Sequence, residues 1–251
     1  MADDVVLTEV RGKVLLITLN RPEAMNAINT DLAQGLIAAF EELDGDDQLT
    51  AGVLTGQGRG FCAGMDLKAF AAGGPPRGFD RVLEDGARKP LIAAIEGFAL
   101  AGGLEVALTC DLLVAAEGAK IGIPEAGVGL MAGGGALMRL PRRVPYGVAM
   151  ELALTADPIS AERAHEYGLV ARVTPKGEAV AAALELAERI ARNAPLSVAS
   201  SKAMIIAQQG LTEEEFWEMQ RPHLGAIFTS EDALEGATAF AEKRDPVWKG
   251  R

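Results

Sequence analysis

An α/β core that gives way to a helical C-terminal region is the fold this sequence predicts. Two observations carry the prediction. Over the first 120 or so residues, short apolar and β-branched runs alternate with amphipathic helical patterns. From about Gly134 onward the strand signals nearly vanish, and one helical pattern follows another. A third observation, composition, says that such a fold can bury itself. Of 251 residues 49% are hydrophobic and 24% charged, with a mean hydropathy of +0.16, which excludes disorder as the main state.

Residues 5–11 and 14–19 are apolar and β-branched around a Gly12-Lys13 turn and predict an opening hairpin. Thr30 is a candidate N-cap with Asp31 in the first turn; Leu32, Leu36, Ile37, Phe40 and Leu43 then recur at helical spacing until Asp44-Gly45. Residues 51–55, 91–95, 111–115 and 120–123 are short apolar runs, and their flanking Gly and Pro favour buried strands over helix. Helices are expected over 146–155, 160–167, 178–193, 196–209, 212–220 and 230–242, with Gly168 as a left-handed cap before a short strand near 170–173. No Ser-rich or Pro-rich linker marks a boundary, and Gly73-Gly74-Pro75-Pro76 reads as a mobile surface loop.

The charge balance narrows the partners. A formal charge of -11 and a pI near 4.8 argue against nucleic acid or an anionic membrane as a general partner. The longest uncharged stretch, 126–138, is glycine-rich and shorter than the roughly 20 residues of a membrane helix. Cys62 and Cys110 are too few for a disulfide framework, and the opening residues lack the pattern of a secretory or organelle leader; both point to the cytoplasm. With His165 and His223 as the only histidines and no G-x-S-x-G turn, a Ser-His-Asp hydrolase is excluded, as is a zinc site. Gly127 to Ala132 matches G-x-G-x-x-A but follows Pro124-Glu125 instead of a strand, so the dinucleotide reading fails on context.

Two glycine-rich turns each follow an expected strand and open an expected helix: Phe61-Cys62-Ala63-Gly64-Met65-Asp66-Leu67, and Gly97 to Glu105. Backbone N–H groups at a helix start attract developing negative charge, and glycine lets a ligand approach the backbone. Facing each other, the turns would form an oxyanion hole; serving close packing alone, they would not. Glu105 is the one charge in an apolar stretch, three residues after Gly102, and Glu125 stands beside the glycine run. Lone carboxylates in such surroundings are costly unless they are paired or have a task. Two of them beside an oxyanion hole suit addition of water to a double bond conjugated with a carbonyl. One deprotonates water and the other supplies a proton to the α carbon.

These residues resemble the enoyl-CoA hydratase/isomerase family, the crotonase superfamily, over residues 14–249. The matching pieces stand in order as Leu19-Asn20-Arg21-Pro22-Glu23-Ala24-Met25-Asn26-Ala27, the Phe61 turn, Gly97 to Glu105 with Cys110-Asp111-Leu112, Ile123-Pro124-Glu125, Gly168-Leu169-Val170, and Ala239-Phe240-Ala241-Glu242-Lys243-Arg244. The resemblance implies a crotonase-like spiral of ββα units over residues 1–195 and a helical region over 196–251 that builds homotrimers or hexamers. It implies a CoA thioester as substrate, with no separate cofactor and no metal. The thioester oxygen would accept from the backbone N–H groups of Met65 and Gly102. Glu105 would be the base that activates water and Glu125 the acid. Ala24, Ala63, Asp66 and Leu67 would wrap the CoA, Gly133 would join them at the substrate, and Arg59, Lys68 and Arg221 are the basic candidates for the phosphates.

Family members that only shift a double bond typically keep the carboxylate matching Glu125 and lose the one matching Glu105. Both are present, which favours hydration of 2-enoyl-CoA to 3-hydroxyacyl-CoA, as in fatty acid degradation. An isomerase or another crotonase-type reaction is the alternative, and a non-catalytic acyl-CoA-binding scaffold is a third reading. The segment 68–89 is shorter than in typical short-chain hydratases, and Ala132 replaces a common proline, so the acyl pocket is expected to be reshaped.

Overall fold

The computed structural model describes residues 4–251; residues 1–3, which belong to the opening stretch read above for a leader, lie outside the described residues. The chain starts with the expected hairpin, β1 (Val6–Arg11) and β2 (Val14–Leu19), paired antiparallel. The helix α1 (Thr30–Gly45) crosses to β3 (Ala51–Gly56), and β4 (Leu91–Ile95), β6 (Leu112–Ala116) and β9 (Arg172–Thr174) complete a six-stranded sheet in the order β1-β2-β3-β4-β6-β9. Every pairing after the hairpin is parallel.

A second sheet contains β5 (Phe98–Leu100), β7 (Lys120–Gly122) and β8 (Ile159–Ser160) in the order β5-β7-β8. The chain lays β4 in the large sheet, β5 in the small one and then turns into a helix, α4 (Gly102–Ala107). It repeats the step with β6, β7 and a 3₁₀ turn, Pro124–Val128. This is a spiral of ββα units, and the site lies where the spiral's short helices begin.

Burial on both faces explains why the large-sheet strands read as continuous apolar runs. Leu15, Ile17, Leu54, Leu91, Ala93, Ile95 and Leu113 point to one face, where they meet α1. Their alternates Val14, Leu16, Ala51, Val53, Ile92, Ala94 and Val114 point to the other. There Ala179, Ala183 and Ala187, one helical turn apart on α8 (Ala179–Ala191), let the helix sit close on the sheet. Truncating a fully buried leucine such as Leu54 costs about 2–5 kcal/mol.

Several sequence expectations are corrected. Asn29, not Thr30, caps α1. Its backbone is extended and its side chain accepts from Leu32 N–H at 2.9 Å, while Thr30 is already helical and its hydroxyl accepts from Arg77 N–H at 3.3 Å. The Gly97 turn reaches its helix through the short strand β5, whose three residues are too few to show a period. The segment after the Phe61 turn forms two short helices, α2 (Leu67–Gly73) and α3 (Phe79–Glu84), with Pro75 and Pro76 between them. Unexpected too is α5 (Ala136–Arg143), hidden because the glycine run adjoins it and Pro141 lies within it.

The rest follows expectation closely: α6 (Tyr146–Thr155), α7 (Ala161–Glu166) capped by Ser160, α9 (Pro195–Ala207), α10 (Glu213–Phe228) and α11 (Glu231–Glu242). Helix α10 opens on a capping box between Thr212 and Glu215 and runs through Pro222, well past the expected end at Gln220. The C-terminal helices are tied to the core at Lys202. Its ammonium is buried against Ala87 O, Lys89 O and Asp111 at 2.7, 2.9 and 2.8 Å, and Asp111 also receives Leu91 N–H at 2.8 Å.

Candidate active site

The two glycine-rich turns meet. Leu100 N–H donates to Cys62 O at 3.0 Å, and Ile28 threads beside the first turn, donating to Gly64 O at 2.8 Å and accepting from Asp66 N–H at 2.9 Å. Those bonds use the Gly64 carbonyl and the Asp66 N–H on either side of Met65 and leave its own N–H without a backbone acceptor among the described residues. Gly64 takes φ +103° with Ala101 so close that any Cβ would lie 2.7 Å from the alanine methyl. Gly102 opens α4, so its N–H has no intrahelical partner. A Cβ built on Gly102 would lie 3.6 Å from Met65 N, which places two free donors at the mouth of one cavity.

That cavity has a volume of about 1190 Å³, above the usual range of about 300–1,000 Å³ for small-ligand sites. Phe70, Phe79, Leu83, Leu130, Met131 and Met138 make much of its wall, and Pro75 and Pro76 belong to it as well. Of the Gly73 to Pro76 segment, read from the sequence as a surface loop, the two prolines are therefore part of the cavity's lining.

Glu105 and Glu125 both open into this space although each is buried, at 4% and 8% exposure. Their surroundings differ. Glu105 accepts Ala136 N–H at 3.2 Å. Burial raises its pKa, while the Ala136 and Gly134 amides and the Arg139 cation pull it back down. Glu125 Oε2 is buried with no partner among the described residues. Burial first, and the negative charge of Glu105 second, push its carboxyl up to about 7. One acid is thus supplied with donors that favour its charged form, and its neighbour is left near half protonation at neutral pH.

Of the residues singled out in the sequence, Ala63, Met65, Leu67, Gly102, Glu105, Glu125 and Gly133 come together in the cavity wall. Ala24, Arg59, Asp66, Lys68 and Arg221 do not line it. Ala24 ends a 3₁₀ turn, Pro22–Ala24. Arg59 and Lys68 are exposed on the flanks of the Phe61 turn, and Arg221 is exposed on α10. The Asp66 carboxylate is occupied inside the chain: it caps α2 by accepting from Lys68 and Ala69 N–H at 3.2 and 3.1 Å, and it pairs with Arg21 at 3.1 Å. The Ala69 amide first, then the Arg21 guanidinium and last the Lys68 amide, hold its pKa below the ordinary value against the effect of burial.

Sequence reasoning missed Arg139, which lines the cavity beside Glu105. Its guanidinium donates to Gly134 O at 3.2 Å and to Leu83 O. The available signal was an arginine four residues after Gly135, on the helix that closes the glycine run. Both cysteines are buried with thiols pushed up to about 12 by burial, which removes them as nucleophiles. His165 is structural: its Nδ1 lies 2.7 Å from Val170 O. Among the described residues no acidic, histidine or cysteine group is clustered for a metal, and no helix is long and apolar enough to cross a membrane.

Known proteins match the chain over nearly its whole length. A family model described as enoyl-CoA hydratase/isomerase matches residues 9–251. An enoyl-CoA hydratase of Mycobacterium tuberculosis, EchA19, is 42% identical over 98% of this chain and 96% of its own. A carnitinyl-CoA dehydratase of Salmonella heidelberg is 40% identical over the whole of both chains. The crystal structure of an enoyl-CoA hydratase from Mycobacterium tuberculosis H37Rv superposes with a TM-score of 0.95 at 51% identity, covering 99% of this chain and 100% of the other.

Proposed function

The chain belongs to the enoyl-CoA hydratase/isomerase family, and from that premise we propose that it hydrates 2-enoyl-CoA thioesters to 3-hydroxyacyl-CoA. The observation that carries the reading is the unlike pair Glu105 and Glu125, buried in one cavity beside two free backbone donors. Groups whose surroundings push their pKa values apart divide into a base and an acid. Glu105, with amide donors and a nearby cation, is the base that takes a proton from water as the oxygen adds to C3. Glu125, poised to about 7, delivers a proton to C2. Between these events the thioester oxygen carries the enolate charge and accepts from Met65 and Gly102 N–H, each such donor being worth about 10²–10³-fold in rate. The net addition is one water, its hydroxyl going to C3 and the Glu125 proton to C2; the water's other proton, left on Glu105, passes to solvent and Glu125 takes one up, which resets the pair.

CoA enters as part of the substrate and the scheme calls on no separate cofactor. Ala63, Leu67 and Gly133 line its path, with Ala24, Asp66, Arg59, Lys68 and Arg221 as candidates farther along the CoA. A hydratase and a dehydratase traverse one reaction in opposite directions, so the names of both relatives support the same chemistry. The test is loss of the conjugated thioester absorbance across a chain-length series of 2-enoyl-CoA substrates. Steady loss of the band with formation of the 3-hydroxy product is expected. Turnover of 3-enoyl-CoA far faster than any 2-enoyl-CoA would replace hydration by isomerisation, and acyl-CoA binding without any product would leave only a scaffold.

A further inference from the structure

A guanidinium in the wall of an apolar cavity is costly unless its donors are used, and Arg139 uses them unusually. It makes no ion pair among the described residues and is half-buried on α5. Its fork reaches backbone oxygens from two separate walls: Gly134 O in the glycine run at 3.2 Å and Leu83 O on α3. Those walls pinch the Glu105 carboxylate. A Cβ on Gly134 would meet Leu83 Cδ1 at 2.5 Å and the Glu105 carboxylate carbon at 2.8 Å. The adjoining amide of Ala136 is the donor that Glu105 accepts from. Gly135, between them, has φ +105°, and a side chain there would collide with the Arg139 guanidinium.

We propose that Arg139 is the positioning residue of this site: it clamps α3 to the glycine run, so that the Ala136 amide stays aimed at Glu105, and it lends the base a neighbouring positive charge. The proposal rests on the hydration reading for the role of Glu105, but the clamp itself does not. Arginine is suited to this because one planar group can satisfy two carbonyls while keeping its charge. The other ionisable groups lining the cavity are Glu125 from the 3₁₀ turn, Asp80 and Glu84 from α3, and Arg77 just before that helix. Of the two cations in the lining, Arg139 is the one whose charge acts on Glu105.

The experiment titrates Glu105 directly, by the carboxylate infrared difference between the protein and Glu105→Gln, and runs the pH profile of kcat/KM on 2-enoyl-CoA beside it. In Arg139→Met the Glu105 midpoint should rise by about one pH unit, the acid limb of the profile should follow it, and kcat should fall by about 10²-fold, the scale of a misplaced reacting group. In Arg139→Lys, which keeps the charge and loses the fork, the midpoint should stay near wild type while kcat falls about tenfold at unchanged KM. Glu84→Gln should not raise the midpoint. A folded Arg139→Met with an unmoved midpoint overturns the proposal. Should that variant not fold, Arg139→Lys decides, and wild-type kcat in it overturns the clamp. If the wild-type protein hydrates no 2-enoyl-CoA, the hydration reading fails, yet the infrared titration still tests the effect of Arg139 on Glu105.

Discussion

At Glu125 one carboxylate oxygen is buried without a partner among the described residues, and burial with the charge of Glu105 moves its pKa from 4.5 to about 7. The folded protein therefore holds this proton up to about pH 7, whereas an unfolded glutamate releases it near 4.5. Because the folded state binds more protons across that window, stability falls as pH rises through it. Glu125→Gln has no such proton to lose. It should melt higher than wild type at about pH 8, by on the order of 2–3 kcal/mol, with the gap closing below about pH 5; equal melting at both pH values would show that Glu125 ionises without cost in the fold. The same residue should set the alkaline limb of kcat near pH 7, because above it the acid is spent. Glu105 and Glu125 were both visible in the sequence as lone charges in apolar stretches. Their convergence was not, since it depends on α4 and the Pro124–Val128 turn being brought together by separate turns of the spiral.

The glycine run between the Pro124 turn and α5 shows how much an element can hide. Read as letters, Gly127, Gly129 and Gly133 to Gly135 look interchangeable. In the fold Gly134 touches the Glu105 carboxylate and Leu83, while a Cβ on Gly127 would meet only Ala156 at 3.6 Å, ordinary contact. Gly134→Ala should displace Glu105 and lower kcat by about 10²-fold. Gly127→Ala should remain within about twofold, the usual reach of a surface change. Steady-state kinetics with melting curves for both variants checks this, and equal kinetics would mean that Gly134 does not hold the base in place. Helices with a clean apolar stripe, such as α1, were legible almost to the residue because several leucines repeat at helical spacing. The start of α2 was legible from the Phe61 turn, but its end and the whole of α3, with one or two turns each, were not, although Phe70, Phe79 and Leu83 from them wall the cavity.

Across the whole molecule, the large sheet could be anticipated from its apolar runs, and of the small sheet only β7, in the expected run 120–123, could. Strands of two or three residues, such as β5 and β8, carry too few side chains to show alternation, and their pairing is set by distant parts of the chain. The C-terminal helices were legible as helices, and they expose Phe228, Leu234 and Phe240 at 72%, 73% and 88%. Exposed apolar surface of that kind fits burial against further copies of the chain, and the family resemblance implies a trimer or hexamer, so light scattering should read one of these; a monomer at micromolar concentration would contradict it. The account turns on two carboxylates working as a unit on one water, and the kcat of Glu105→Gln, Glu125→Gln and the double variant tests that most directly. Each single change should cost about 10²–10⁴-fold. Groups that act together lose little more when both are removed, so the double variant should fall far short of the product of the single losses. Multiplicative losses would contradict the paired mechanism.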